Sequence, residues 1–132
     1  MSPSQDNLTA SVSQEVALAL VDITVAFPSR SGPGQYYTAV QGATLRVARG
    51  EFLSVVGPTG CGKSTLLNVA AGLLAPTGGY VEVFGERLQG INRKAGYMFQ
   101  ADALMPWRSA LENVAAGLIF RGVPKPQALE RA

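Results

Sequence analysis

The residues with the clearest chemistry are nine in a row: Gly57, Pro58, Thr59, Gly60, Cys61, Gly62, Lys63, Ser64 and Thr65. They fit the pattern G-x-x-x-x-G-K-[ST], and that pattern answers a physical problem. A triphosphate must be held by many donors within a small arc. Glycines at 57, 60 and 62 let the backbone turn its N–H groups inward and let phosphate oxygens approach where a Cβ would stand. A helix opening at Lys63 points unpaired N–H groups and its positive dipole end at the anion. Lys63 adds a mobile full charge within reach of β- and γ-phosphates. The Ser64 hydroxyl is placed to ligate Mg²⁺, and Thr65 can donate on the α-phosphate side. The competing account is a glycine-rich turn that matches by accident. Cys61 has two readings, a small residue tolerated in the loop and a reactive thiolate.

The flanking residues decide against an accidental match, because a phosphate loop needs a strand before it and a helix after it. Glu51 to Val56 ends in Phe52, Leu53, Ser54, Val55 and Val56, the composition of a short buried strand. Lys63 to Leu74 has helical spacing, with Leu66, Leu67, Ala70 and Leu73 or Leu74 on one face, and 75–79 (APTGG) stops it. Upstream, Val16 to Phe27 places apolar residues at Val16, Leu18 and Leu20, then at Ile23, Val25 and Phe27, which reads as a strand. Residues 28–35 (PSRSGPGQ) have the composition of an exposed loop. Ala43 to Ala48 alternates again, and a turn at Arg49-Gly50 is expected to pair it as a hairpin with 51–56.

Downstream, Tyr80 to Phe84 and Ala95 to Phe99 read as strands, with a turn at Gly85-Glu86 between them. Ser109 to Phe120 reads as a helix capped by Ser109, with Glu112 at the capping-box spacing. Pro124 to Ala132 begins a further helix. Residues 1–14 read as a disordered polar tail, which leaves 15–132 as one α/β unit.

Composition narrows the classes. Apolar residues make up 47% of the 132, enough for a core, and the net charge of +2 is spread along the chain with no polybasic surface for nucleic acid. Cys61 is the single cysteine, so no intrachain disulfide forms, which is compatible with a reducing compartment. The N-terminal stretch lacks the basic start and apolar run of a secretory signal. No apolar run approaches the about 20 residues of a membrane span, so membrane association is expected to go through a partner.

Beyond these derivations, the stretch GPTGCGKSTLLNVAAGLLAPTGGYVEVFGERL resembles the phosphate loop and following strand of ATP-binding-cassette (ABC) transporter ATPases. The stretch GYMFQADALMPWRSALENVAAGL resembles their Q-loop and the start of their helical subdomain. The combination FQ-x-x-x-L-x-P-W followed by E-N-V is most similar to importer ATPases for nitrate, sulfonate and taurine. The resemblance runs from about Val16 to the end. It implies an α/β P-loop fold of the ABC nucleotide-binding type, with ATP and Mg²⁺ as ligands.

It also implies roles. Gln100 would be the Q-loop glutamine that contacts Mg²⁺ and positions the attacking water; a neutral amide can accept from water and donate to phosphate. A polar residue ending an inner strand is the alternative reading of Gln100. An aromatic residue upstream of the phosphate loop would stack on adenine: Phe27 is the first choice, with Tyr36 and Tyr37 open because the 28–35 loop blurs the alignment. Trp107 and Arg108 would face the membrane-spanning subunit, or else form a buried Trp beside a solvated Arg. Partners implied are permease subunits, a second ATP-binding subunit and, indirectly, a solute-binding protein. The implied place is cytoplasmic, peripheral on the inner face of the cell membrane.

The family continues with a signature loop, an apolar strand ending in Asp-Glu, and a switch histidine, none of which is found in these residues; there is no histidine at all. Leu18 to Asp22 imitates the acidic strand end but precedes the phosphate loop, and Ile23 stands at the place of the general base. Asp22 therefore reads as a solvent-facing strand residue. The expectation is an N-terminal portion that stops after the Q-loop and the start of the helical subdomain, and that binds ATP without hydrolysing it alone. The rivals are a nucleotide-binding fragment with no transport activity and a small nucleotide kinase. The 100–113 motif speaks against the kinase.

Overall fold

The computed structural model describes residues 15–29, 32, 34–101 and 103–132. The expected tail at 1–14 and Asp102 lie outside them. The described residues form two units, up to Gly96 and from Tyr97 to Ala132.

In the first unit β1 (Val16–Pro28) pairs antiparallel with both β2 (Tyr36–Ala48) and β3 (Gly78–Val83), and β3 pairs with β4 (Glu86–Arg87), giving the order β2-β1-β3-β4. Being central, β1 contributes more to the core than any other element: Ala19, Leu20, Ile23 and Val25 are buried. Its apolar spacing slips by one residue between Leu20 and Ile23, and the ladders slip at the same place. Asp22 sits in this irregularity with φ 51, its N–H donating to Thr44 Oγ1 at 3.0 Å. The extra residue returns Ile23 and Val25 to the face already used by Leu20. Asp22 itself is exposed, as expected of it.

Helix α1 (Lys63–Ala70) lays Val69, with Leu66 and Ala70, against Leu20, Ile23, Val25, Val81 and Val83. Each fully buried aliphatic side chain of this kind contributes about 1.5–3 kcal/mol. The helix ends four residues earlier than its periodicity suggests. Gly72 takes φ 70, and a Cβ there would stand 2.0 Å from the Gly90 carbonyl oxygen. The chain at 90–92 crosses the helix end, where the Asn92 N–H donates to the Ala71 carbonyl at 2.9 Å and Asn92 Nδ2 to the Ala70 carbonyl at 3.3 Å. Gly72 is thus a helix stop that leucines at 73 and 74 conceal.

Two expected strands are corrected. Residues 51–56 form no ladder and are exposed throughout, Phe52 at 92%. The hairpin expected across Arg49-Gly50 is therefore absent, and β2 pairs with β1 instead. Residues 95–99 also lack strand pairing. An apolar run of this kind becomes a strand only when a neighbour supplies the ladder, and no described residue does so. The two-residue strand β4 was not anticipated.

In the second unit α2 (Ala110–Phe120) and α3 (Lys125–Arg131) form where expected. Ser109 Oγ accepts from the Glu112 N–H at 3.2 Å, and Glu112 Oε2 accepts from the Ser109 N–H at 3.1 Å, a complete capping box. Lys125 Nζ donates to Glu112 Oε1 at 3.0 Å. That bond, with the Ser109 N–H and the Lys125 charge, holds the Glu112 carboxyl below its ordinary pKa. Asn113 staples the preceding loop: its Oδ1 accepts from the Met105 N–H at 2.8 Å, and its Nδ2 donates to the carbonyls of Met105, Arg108 and Ser109. Trp107 is exposed, and the half-buried Arg108 places its guanidinium 5.5 Å from the Phe120 ring centroid. The alternative of a buried Trp beside a solvated Arg is reversed.

Candidate functional site

The phosphate loop runs from the end of the 51–56 segment into α1. Gly62 is the N-cap of α1, with φ 94 and ψ 3, and no side chain caps it. The first turn holds no acidic residue. The N–H groups of Lys63, Ser64 and Thr65 lie in the first turn, where a helix offers them no carbonyl partner. A helix start without a side-chain acceptor leaves donors and a positive dipole end for an outside anion.

Gly62 owes its identity to a close approach as well as to its dihedral. A Cβ there would stand 2.6 Å from the Ala39 carbonyl oxygen and 3.0 Å from Val40 Cγ2. The reason lies in β2. Val25 pairs with Val40 and Ala26 with Thr38, so Ala39 is an extra residue, a bulge. Bulges redirect backbone and are common beside functional sites; this one brings the Ala39 carbonyl against the helix start.

The Lys63 ammonium folds back along the loop. Nζ donates to the Gly57 carbonyl at 2.8 Å and to the Pro58 carbonyl at 2.7 Å, and lies 3.6 Å from Cys61 Sγ. Two of its three N–H bonds thus close the arch of the loop, and the third meets only a weak sulfur acceptor. The charge is held inside the arch of the loop, with one donor easily exchanged. The Cys61 N–H also reaches the Pro58 carbonyl, at 3.4 Å. Gly60 has φ 84 with nothing within 4 Å of a would-be Cβ, and Thr59 is exposed.

Cys61 is exposed, and its sulfur would be 2.8 Å from a Cβ at Gly57. It therefore lies over the arch rather than away from it. A maleimide adduct on Cys61 is expected to prevent nucleotide binding, and saturating MgATP is expected to slow labelling. Equal labelling rates with and without nucleotide would place the thiol outside the occupied arc.

A cleft of about 330 Å³ opens beside the loop, and Phe27, Tyr37, Ala39, Gly60, Gly62, Lys63, Ser64 and Thr65 line it. Of the three aromatic candidates for the base, the structure brings Phe27 and Tyr37 to this cleft; Tyr36 does not line it. Ser64 presents the hydroxyl expected for Mg²⁺. No group of three or more His, Cys, Asp or Glu occurs among the described residues. A single hydroxyl fits an ion that arrives with most of its shell supplied by phosphate oxygens and water, which is the habit of Mg²⁺. Gln100 belongs to the second unit, where residues 97–101 are irregular and its side chain is exposed. The alternative reading of Gln100, a polar residue ending an inner strand, is not found, because residues 95–99 form no strand.

Sequence reasoning missed the Ala39 bulge and the Lys63 arch. Both act through backbone carbonyls, which leave no trace in residue type.

With this geometry in hand, comparison with known proteins is specific. A family model described as ABC transporter matches residues 40–132. The taurine import ATP-binding protein TauB of Pseudomonas aeruginosa (strain UCBPP-PA14) is 46% identical over 110 residues, covering 83% of this chain and 41% of that protein. TauB of Roseobacter denitrificans is 48% identical over 92 residues, 70% of this chain and 34% of that protein. The dimeric post-hydrolysis structure of the ATP-binding cassette MJ0796 bound to ADP and Pi superposes with a TM-score of 0.75 at 28% identity, covering 86% of this chain and 53% of that one. The chain thus spans about two fifths of the length of the curated relatives it matches.

Proposed function

The chain belongs to the ABC transporter family, and we propose that residues 15–132 are the nucleotide-holding, N-terminal portion of an importer's ATP-binding subunit. In that reading the loop at 57–65 binds the triphosphate of MgATP, Ser64 takes part in holding Mg²⁺, and Gln100 positions water in the assembled site. The observation that carries it is the Lys63 ammonium held inside the arch of Gly57 and Pro58, at a helix start that no side chain caps. Two relatives named for taurine import support a small sulfonate or a related anion as the transported solute. The exposed Trp107 supports a docking role for the 104–108 segment toward membrane-spanning subunits, since aromatic residues are frequent interface anchors. No helix among the described residues is long and apolar enough to cross a membrane, which fits attachment through such partners. A second ATP-binding subunit would complete the nucleotide site, as the dimeric state of the cassette named above suggests.

Hydrolysis asks for more than a phosphate loop. It needs a group that orients or deprotonates water at the γ-phosphate, and opposing donors for the developing charge. In the family these come from a strand-end Glu, a switch histidine and a partner's signature loop, and the 132 residues contain no histidine. The test is calorimetric titration of the chain with MgATP, run beside a phosphate-release assay with Lys63→Ala as control. Binding is expected, with release no faster than the control. Lys63-dependent turnover approaching ~1 s⁻¹, the lower end of ordinary enzyme rates, would overturn the division of labour. Absence of binding would overturn the nucleotide site itself.

A further inference from the structure

After the short strand β4 the chain runs back to the end of α1, where Asn92 is held by the Ala70 and Ala71 carbonyls. A cleft of about 240 Å³ lies along this return. Arg87, Arg93 and Lys94 line it together with one carboxylate, Glu86. That is an excess of two positive charges, and the net charge of the whole chain is +2. Charge that is spread along the sequence is gathered here by the fold. The ion pair of Lys94 Nζ with Glu86 Oε2, at 3.2 Å, is exposed, and such pairs hold their members weakly. Arg87 rests on the Tyr80 ring, 4.7 Å from its centroid, which leaves its charge unneutralised. Arg93 is exposed and has no ion pair among the described residues. Apolar groups stand beside these cations. Ile91 lines the same cleft and is 65% exposed. Phe84, at the tip of the β3–β4 hairpin, is 41% exposed, and the Lys94 ammonium lies 5.4 Å from its ring centroid. The backbone at this tip is unusual. Phe84 and Gly85 have φ 51 and 77, between the paired residues Val83 and Glu86. A two-residue turn with positive φ at both positions suits Asn-Gly, and a bulky ring in it is strained. The Phe84 N–H donates to the Ala17 carbonyl at 3.0 Å, which fixes the turn, yet the ring takes no part in the core cluster. Strain of this kind gathers where a fold meets something outside itself.

We propose that the β3–β4 tip and the 91–94 segment dock on the anionic headgroup surface of a membrane. Phe84 and Ile91 enter the boundary between headgroups and acyl chains, and Arg87, Arg93 and Lys94 meet the lipid phosphates. Interfacial binding draws on both terms, buried apolar area and attraction to anionic lipid. An acidic protein segment would satisfy the cations alone. The exposed ring and Ile91 beside them fit a layered surface, apolar beneath and anionic above. The contact goes beyond the nucleotide reading and does not depend on it. It adds a direct hold on the membrane surface to the attachment through membrane-spanning partners.

The test is co-sedimentation of the full chain, without nucleotide, with two kinds of vesicle: phosphatidylcholine alone, and phosphatidylcholine mixed with phosphatidylglycerol. The wild type is expected to bind the mixed vesicles, less so as salt rises, and to leave the neutral ones. The double variant Arg93→Gln/Lys94→Gln is expected to weaken that binding on the order of tenfold or more. Arg46→Gln/Arg49→Gln removes the same charge from β2 and its following turn, and is expected to weaken it far less. Phe84→Asn is expected to stay folded, because Asn suits the positive φ that Phe does not, and to bind vesicles more weakly; Phe84→Trp is expected to bind as the wild type does. Equal losses in the two double variants would overturn the proposal, since net charge alone would then explain the binding. Unchanged binding by Phe84→Asn would overturn it as well, and so would equal binding to neutral vesicles or none to either kind. Displacement by inorganic phosphate beyond that by chloride at matched ionic strength would make the cleft a small-anion site and not a membrane contact.

Discussion

Lys63→Ala is expected to lower MgATP affinity at least tenfold and to leave the melting temperature nearly unchanged. The two halves of that expectation come from different contacts. Affinity falls because the ammonium is the full positive charge among the side chains lining the cleft, and a charge-assisted hydrogen bond to phosphate contributes about 1.5–3 kcal/mol. A tenfold change corresponds to about 1.4 kcal/mol, so one such contact suffices. Stability barely moves because the bonds from Nζ to the Gly57 and Pro58 carbonyls lie in solvent-exposed loop, where water replaces a lost donor at small net cost. Calorimetry and a thermal melt on the same samples separate the two. Equal affinity in both forms would remove the loop from the binding site. A large drop in melting temperature would recast Lys63 as a structural clamp.

The phosphate loop and the helix after it were legible because their requirements are local. A glycine at 62 and a lysine at 63 are dictated by dihedral and charge within one turn of chain, and the structure bears out both the helix start and the open cap. The capping box at Ser109 and Glu112 was legible for the same reason. The β1 slip at Asp22 was also visible, as a break in the apolar spacing between Leu20 and Ile23, although its meaning as a bulge was not. What escaped were features decided by distant partners. Phe52, Val55 and Val56 have the composition of a buried strand, yet burial depends on neighbours that composition does not name. The helix end at Ala70 was overrun because Leu73 and Leu74 continue the periodicity, while the stop is set by Gly72 meeting Gly90 across the fold. The choice between Phe27 and Tyr37 was open in sequence because loop length obscured the register. The ladder shows that they are partners, which no alignment-free reading of spacing would reveal.

Gly62→Ala is expected to lose both stability and nucleotide binding, and Gly60→Ala is expected to separate them. Both glycines have positive φ, 94 and 84, so both substitutions strain the backbone by about 1–3 kcal/mol. Their surroundings differ. At Gly60 a Cβ meets nothing within 4 Å, whereas at Gly62 it would stand 2.6 Å from the Ala39 carbonyl oxygen. That neighbour is backbone, held in a strand whose ladder is fixed on either side of the bulge, so it cannot swing away as a side chain would. The start of α1 must then move off β2. Such a shift displaces the N–H groups of Lys63, Ser64 and Thr65 together and loosens Leu66, Val69 and Ala70 from the sheet. Gly62→Ala should therefore melt lower than Gly60→Ala by at least about 2 kcal/mol, the order of a core packing fault, and show no measurable MgATP binding. Gly60→Ala should lose only its backbone strain in stability and still bind weakly, because its methyl group meets open space at a residue that lines the cleft. Thermal melts and calorimetry on the pair decide the matter. Matching melting temperatures for the two variants would show that the contact between Ala39 and the helix start carries no load, and with it the account of why a bulge stands beside the phosphate loop would fall.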